Sequence, residues 1–386
     1  MKKSQKKKKI VWQQWIGIIF LLLIGAVCGF LMMNYLYSAE VANRSPIEKI
    51  GALLVLFVIM YLAFFIQMII HEAGHLVFGL ASGYKFSSFR IINFMWVKEN
   101  NKIKLRRFTL AGTGGQCLMV PPDLVDGKIP VVLYNLGGSI MNMVAALVFL
   151  CFYFVTVSLS FLSTVMLMLS VIGFIIAIMN GVPMRMGMVN NDGYNVFALI
   201  RNRDALRSFW IQMKINEQIT KGIRLKDMPD EWFFIPSDDE MTNSMVAVMG
   251  VTACNRLMDI QNFEEANKAI SRLLEIESGI VDIHRNLMVC DRIFCELISG
   301  NVAKVAELYT KELKKFMKLM KKFPTVLRTE YTYALLSECD ALKAEAIKAE
   351  YEKCVKNYPH PNEVAAEREL MCIADDNYNK REKRLK

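Results

Sequence analysis

Four stretches of this chain are apolar over the roughly 20 residues that a helix needs to cross a bilayer: residues 15–33, 50–70, 131–157 and 159–179. No other feature restricts the fold as much, because a backbone inside hydrocarbon must satisfy its own hydrogen bonds and therefore coils into helices. The remainder differs in kind. The 386 residues are 54% apolar yet 22% charged, too oily for an ordinary soluble enzyme and too charged to be all membrane, so a membrane part and an aqueous part are expected. Residues 1–193 carry 17 Lys and Arg against 7 Asp and Glu, whereas residues 194–386 carry 30 of each. Basic residues confined to the edges of apolar segments fit membrane topology, and nucleic acid is not an expected partner. Nine cysteines, odd in number and without a C-x-x-C pair, read as reduced thiols. Six of them fall in the charge-balanced half, which points to a reducing cytosol and away from a cysteine zinc site.

Lysines at positions 2, 3 and 6–9 precede the first stretch, as in a signal peptide. That stretch is long, however, and ends in Met32-Met33-Asn34-Tyr35 without a small-residue cleavage signature, so an uncleaved anchor is expected. Short loops rich in Lys and Arg stay cytoplasmic. The amino-terminal arm has six, the loop 34–49 has two, the loop 81–130 has eight and the hinge at Ser158 has none. This alternation predicts a multi-pass protein of the cell membrane with both termini cytoplasmic. Within the long loop, Ser87 to Lys98 and Lys102 to Leu110, separated by Glu99-Asn100-Asn101, read as a β-hairpin. A hairpin edge can accept an extended peptide; an amphipathic surface loop is the plainer alternative.

The second apolar stretch runs directly into His71-Glu72-Ala73-Gly74-His75. On a helix, His71 and His75 at i, i+4 share one face, close enough to ligate one zinc, with Glu72 beside them as general base. With only four histidines in the chain, about 0.002 accidental H-E-x-x-H matches are expected. A carboxylate at membrane depth also costs a few kcal/mol, which marks it as functional by default. A catalytic zinc takes three protein ligands. The remaining histidines, His284 and His360, lie in the aqueous half, so the third ligand is expected to be a carboxylate near the membrane: Asp192, Asp123 or Asp126. Asp192 is favoured, since it follows the fourth span, whose end returns to the side where the second span ends.

Taken together these motifs resemble the site-2 protease family of intramembrane zinc metalloproteases. The likeness rests on HEAGH, on Gly138-Ser139-Ile140-Met141-Asn142 in the third span, and on Asn180-x-x-Pro183 with Asp192-Gly193 at the fourth. It covers residues 50–195. The resemblance implies a zinc endopeptidase with a membrane-associated hairpin between its first two core spans. It also implies that Asn180 and Asn142 contact substrate backbone or support the oxyanion, while interhelical hydrogen bonding is the other reading of Asn142. The implied substrate is a membrane-spanning protein or a signal-peptide remnant, in regulated intramembrane proteolysis. Two departures stand out. Ser139 replaces the family proline, and eight residues instead of the usual four separate Pro183 from Asp192, so that Met184 to Gly187 is expected to loop out.

Beyond the fourth span, residues 196–240 read as an amphipathic segment followed by an acidic, proline-containing linker. Residues 241–386 show helical periodicity. Ala266, Ala306 and Ala346 recur 40 residues apart, which suggests a tetratricopeptide-like array that binds a cytosolic protein partner, with a plain helical bundle as the alternative. The basic tail from Lys380 to Lys386 reads as a solvated helix end or a lipid-facing patch. The expected architecture is an all-α polytopic membrane protein with a small hairpin and a cytosolic helical domain. Its parts are an anchor span and outer loop (1–49), a metalloprotease core (50–195), a connecting segment (196–240) and a helical-repeat domain (241–386). Two other functions compete: a non-proteolytic scaffold with a structural metal site, and a metal transporter using His71, His75 and Asp192. Neither needs Glu72 as a base, and transport usually calls for more spans or internal repeats.

Overall fold

The computed structural model describes residues 12–99, 102–107, 114–158, 160–186 and 189–385. The lysine arm, the Asn100-Asn101 turn and the far end of the expected second strand at Leu110 lie outside the described residues. In chain order the elements are α1 (Trp12–Leu36), α2 (Pro46–Ala81), β1 (Lys85–Ile91), β2 (Phe94–Glu99), β3 (Lys102–Arg107), β4 (Gly115–Val120), α3 (Val131–Val155), α4 (Ser160–Gly181), β5 (Arg185–Met186), β6 (Val189–Asn190), α5 (Asp192–Arg201) and α6 (Arg203–Thr220). They continue with α7 (Ser244–Asp259), α8 (Phe263–Glu275), α9 (Asp282–Ile298), α10 (Val302–Leu308), α11 (Lys311–Leu319), α12 (Pro324–Leu336), α13 (Ala341–Val355) and α14 (Pro361–Leu385). The chain forms two compact units: residues 1–85 with 128–201, and residues 86–127 with 202–386.

The first unit contains four helices long and apolar enough to cross a membrane, α1 through α4. Helix α2 begins with a capping box, in which Ser45 accepts from the Glu48 backbone N–H and the Glu48 side chain reaches back to Ser45, with Pro46 in the first turn. Its 36 residues extend about 54 Å, more than the roughly 30 Å of bilayer hydrocarbon. His71 stands 21 residues from position 50, where the apolar stretch begins, which is about 32 Å along the axis and so at the end of that span. Leu54, Val58, Tyr61 and Leu62 on α2 are more than half exposed, an apolar surface that suits lipid and not water. Helix α4 is the most enclosed of the four. Met168, Leu169, Ile172 and Ile176 on it pack with Cys28 and Met32 of α1 and Leu56 and Ala63 of α2. Helices α2 and α3 cross where both lack side chains: a β-carbon on Gly74 would stand 2.3 Å from the Gly137 carbonyl oxygen, so only glycine permits this approach.

In the second unit the strands form one sheet in the order β3-β2-β1-β4. Strands β2 and β3 pair antiparallel from Phe94↔Arg107 to Glu99↔Lys102, the hairpin about Glu99-Asn100-Asn101. The single strand expected over Ser87 to Lys98 is instead two, β1 and β2, paired antiparallel from Ser88↔Val97 to Ile91↔Phe94. The chain reverses at Ile92, whose φ of 54° is unfavourable for a β-branched residue, and no glycine or proline advertises the turn. The buried Arg90 guanidinium holds it, donating to the Ile92 and Gly115 carbonyls at 2.8 and 3.3 Å. Helix α6 packs against the sheet, with the Trp210 indole N–H donating to Pro122 O at 3.0 Å. Residues 225–234, though without periodicity, pack onto α6 and α7 through Met228, Trp232, Phe233 and Phe234.

Helices α7, α9, α12 and α14 stack in chain order, and α8, α10 and α13 each pack on the helix they follow. The 40-residue alanine spacing does not select packed positions. Ala266 is buried, but Ala306 and Ala346 are exposed, and their neighbours Val305 and Ala344 are the buried ones. In the basic tail, Arg381 points inward and donates to the last-turn carbonyls of α12 (Leu336, 3.1 Å) and α9 (Leu297, 2.9 Å), capping both helices. At the centre of the array Arg328 is fully buried between Asp291 and Glu367 (2.8 Å), beneath the ring of Phe294. Removing one partner of such a network strands the other charges in apolar surroundings. Arg328→Ala is thus expected to destabilise this unit by about 3–5 kcal/mol in chemical denaturation, whereas Arg328→Met combined with Asp291→Asn and Glu367→Gln recovers most of that loss.

Candidate metal centre

Two elements of the first unit meet at one point. His71 and His75, one turn apart on α2, are joined by Asp192 at the start of α5, and this is the one group of three potential ligands found within 4.8 Å of one another among the described residues. Nε2 of His71 lies 3.2 Å from Nε2 of His75, and Oδ2 of Asp192 lies 3.0 and 3.4 Å from those two nitrogens. Three ligands at about 2.0–2.1 Å from a tetrahedral zinc are separated by roughly 3.3 Å, so the triangle has the size of a zinc-binding face.

Which ring nitrogens point inward is fixed from outside the triangle. Nδ1 of His75 is 2.8 Å from the Tyr134 carbonyl oxygen; since a carbonyl only accepts, this nitrogen carries the proton and Nε2 is left as the ligand. Nδ1 of His71 is 2.8 Å from Oδ1 of Asn142. The Asn142 amide nitrogen is committed elsewhere, donating to the Gln67 carbonyl oxygen at 2.8 Å, so Oδ1 must face His71 and the same tautomer results. Oriented second partners of this kind accompany most ligating histidines. Two ring nitrogens and a carboxylate oxygen converging in this way require a positive charge between them, either protons on the rings or a metal ion. Burial opposes ionisation of Asp192, but with the two rings protonated their charge beside Oδ2 prevails and holds its pKa down at about 2, and a cation bound in their place would act in the same direction. It is therefore ionised at neutral pH, the form that ligates metal.

Asp192 follows a short antiparallel pairing after Pro183, in which Met184 sits at the base, while Gly187, the end of the stretch expected to loop out, lies outside the described residues. Asn191 and Met184 pair across the base of the insertion, with Met184 N donating to Asn191 Oδ1 (2.9 Å) and Asn191 N to Met184 O (3.2 Å). The intervening strands β5 and β6 form a small hairpin. The Asn191 amide also donates to the Met179 and Val182 carbonyls, and its oxygen accepts from Tyr194 N at 2.9 Å, capping α5. Gly193 seats α5 on the end of α4, since a β-carbon there would stand 2.2 Å from the Gly181 carbonyl oxygen.

The remaining expected residues are placed as follows. Glu72 is buried on α2 beside His71. Asn180 is half-buried at the last turn of α4, with its amide on the Ile176 carbonyl at 3.1 Å. Asn142 is fully buried and makes interhelical hydrogen bonds, the second of its two expected readings. Of the competing carboxylates, Asp123 pairs with Lys214 at 3.1 Å and Asp126 sits in an exposed turn with φ 51°; neither belongs to the cluster. Sequence reasoning assigned no role to Tyr134, Gly137 or Asn191, and Gly74 and Gly138 stood there only as members of motifs. Only Asn191 carried a local signal, as a residue favoured at helix N-caps.

Gly138 lies under the His71 imidazole, where a β-carbon would stand 2.5 Å from Cε1. Gly138→Ala is accordingly expected to displace the ring and weaken zinc binding about 10–100-fold, measured by chelator competition on the purified chain. Among known proteins, the family model described as peptidase family M50 matches residues 59–333. No curated protein and no solved structure matches the chain.

Proposed function

This chain belongs to peptidase family M50, and from that premise we propose that it is an intramembrane zinc endopeptidase cutting membrane-spanning or signal-peptide-derived substrates near the cytoplasmic face. The observation that carries the reading is the triangle of His71 Nε2, His75 Nε2 and Asp192 Oδ2, with the buried Glu72 next to His71 in the sequence of α2. The donor set suits zinc: two imidazoles and one carboxylate are a combination found in catalytic sites, which leave one position for water or substrate. When bound, zinc would lower the pKa of water and polarise the peptide carbonyl.

The residues of the chain supply the rest. Glu72 acts as general base, taking a proton from the attacking water and passing it to the nitrogen of the departing amine. Its enclosed position keeps bulk water from competing for that proton. Asn180, with acceptor capacity and one amide hydrogen not committed to Ile176, is assigned to the substrate backbone. Asn142 is assigned to orienting His71. A substrate helix must unwind locally before its peptide bond can be attacked, because its backbone groups are internally paired. A scaffold or a transporter would have no use for Glu72.

Lys and Arg are concentrated in the amino-terminal arm and in the loop 81–130, which supports cytoplasmic termini and hence a cytosolic second unit in a cell-membrane protein. Serial stacking of α7, α9, α12 and α14, each of the first three followed by a helix packed on it, supports a tetratricopeptide-like array that recruits a protein partner or presents substrate. Glu72→Gln is expected to keep stoichiometric zinc yet lower cleavage of a co-expressed membrane substrate by at least about 10²-fold, while Asp192→Ala loses both zinc and cleavage. Undiminished cleavage by Glu72→Gln would remove the protease assignment.

A further inference from the structure

The hydrogen bonds that orient His71 do not end at Asn142. Gln67, one turn before His71 on α2, is completely buried. Its Oε1 accepts from the Asn142 amide nitrogen at 2.8 Å, and its own amide nitrogen donates to the Leu169 carbonyl oxygen of α4 at 2.8 Å. Each orientation is forced by the one before it. The Leu169 carbonyl can only accept, so Gln67 must turn its nitrogen toward α4 and its oxygen toward α3. That oxygen, together with the Gln67 backbone carbonyl, takes both hydrogens of the Asn142 amide. Asn142 is left with only Oδ1 to offer His71, which fixes the proton on Nδ1 and the lone pair on Nε2.

Room for this relay comes from a missing side chain. Leu169 O lies one turn before Gly173, and a β-carbon on Gly173 would stand 2.7 Å from Gln67 Nε2 and 3.0 Å from the Ala146 β-carbon. Glycine at 173 thus opens the path by which an amide on α2 reaches a carbonyl on α4. A buried glutamine in an apolar span is costly unless every one of its groups is paired, and here each pairing bears on the direction of one imidazole.

We propose that Gln67 is a positioning residue for the metal centre, acting through Asn142 to turn His71 Nε2 toward the metal, with Gly173 making the relay possible. This rests on the zinc site proposed above. The test uses the full chain purified in detergent, with zinc affinity measured by chelator competition, the visible spectrum recorded after cobalt substitution, and the unfolding temperature of the zinc-free protein. Gln67→Met keeps the side-chain length and removes the polar groups. It is expected to weaken zinc binding about 10–100-fold and alter the cobalt spectrum while the zinc-free unfolding temperature is unchanged. Affinity within twofold of wild type, or weaker binding with a lower unfolding temperature and an unaltered cobalt spectrum, overturns the proposal in favour of packing alone. If Gln67→Met does not fold, Gly173→Ala decides: it retains every polar group but displaces the amide, so the same loss of affinity is expected, and wild-type affinity overturns the relay. Wild-type protein without a stoichiometric zinc that His71→Ala removes would instead sink the zinc site itself, and the relay with it.

Discussion

Two imidazole nitrogens and one carboxylate oxygen meet within 3.4 Å of each other in a largely apolar unit, and such a convergence is tolerable only with positive charge between them, on the rings or on a bound cation. Much of the first unit answers to that requirement. Gly74 and Gly137 let α2 and α3 approach closely, which puts the Tyr134 carbonyl and the Asn142 amide within reach of the two imidazoles. Gly138 leaves space for one ring, and Gly193 lets the helix that bears Asp192 sit against the end of α4. The absent side chains matter here as much as the ligands, because in lipid no hydrophobic force draws helices together and close van der Waals contact does that work.

The insertion after Pro183 illustrates how a ligand position can be tied to the end of the preceding span. Asn191 bonds to Met184, to the end of α4 and to the first turn of α5 at once. These bonds tie Met184 and the start of α5 together directly, independently of the side chains between them. A single amide achieves this because it offers two hydrogens and two lone pairs in fixed directions.

The second unit follows different physics. Its helices bury Leu, Met, Phe and Cys side chains away from water, and the charge buried among them, Arg328, is matched by Asp291 and Glu367. Buried ion networks of this kind add little net stability, but their partial loss is expensive, which favours one arrangement of α9, α12 and α14 over its alternatives. Arg381 adds a second device, closing the carbonyl ends of two helices with one guanidinium.

The apolar lengths of the spans, the i, i+4 placement of His71 and His75, and the pairing of β2 with β3 were readable because each is a local property, set by rise per residue, helical period or alternation between turn residues. The split of one expected strand at Ile92 was not, since a buried arginine and not the turn residues stabilises it. Nor was the burial of Val305 and Ala344 in place of Ala306 and Ala346, where helix rotation is decided by neighbouring helices. Sequence alone determined that two histidines and a glutamate share a helix at the end of a membrane span. Tertiary structure decided which carboxylate joins them and which nitrogen each ring presents, because Tyr134, Asn142 and Asp192 lie 59 or more residues from the histidines they meet, and only the packing of α3, α4 and α5 brings hydrogen-bond partners across that distance.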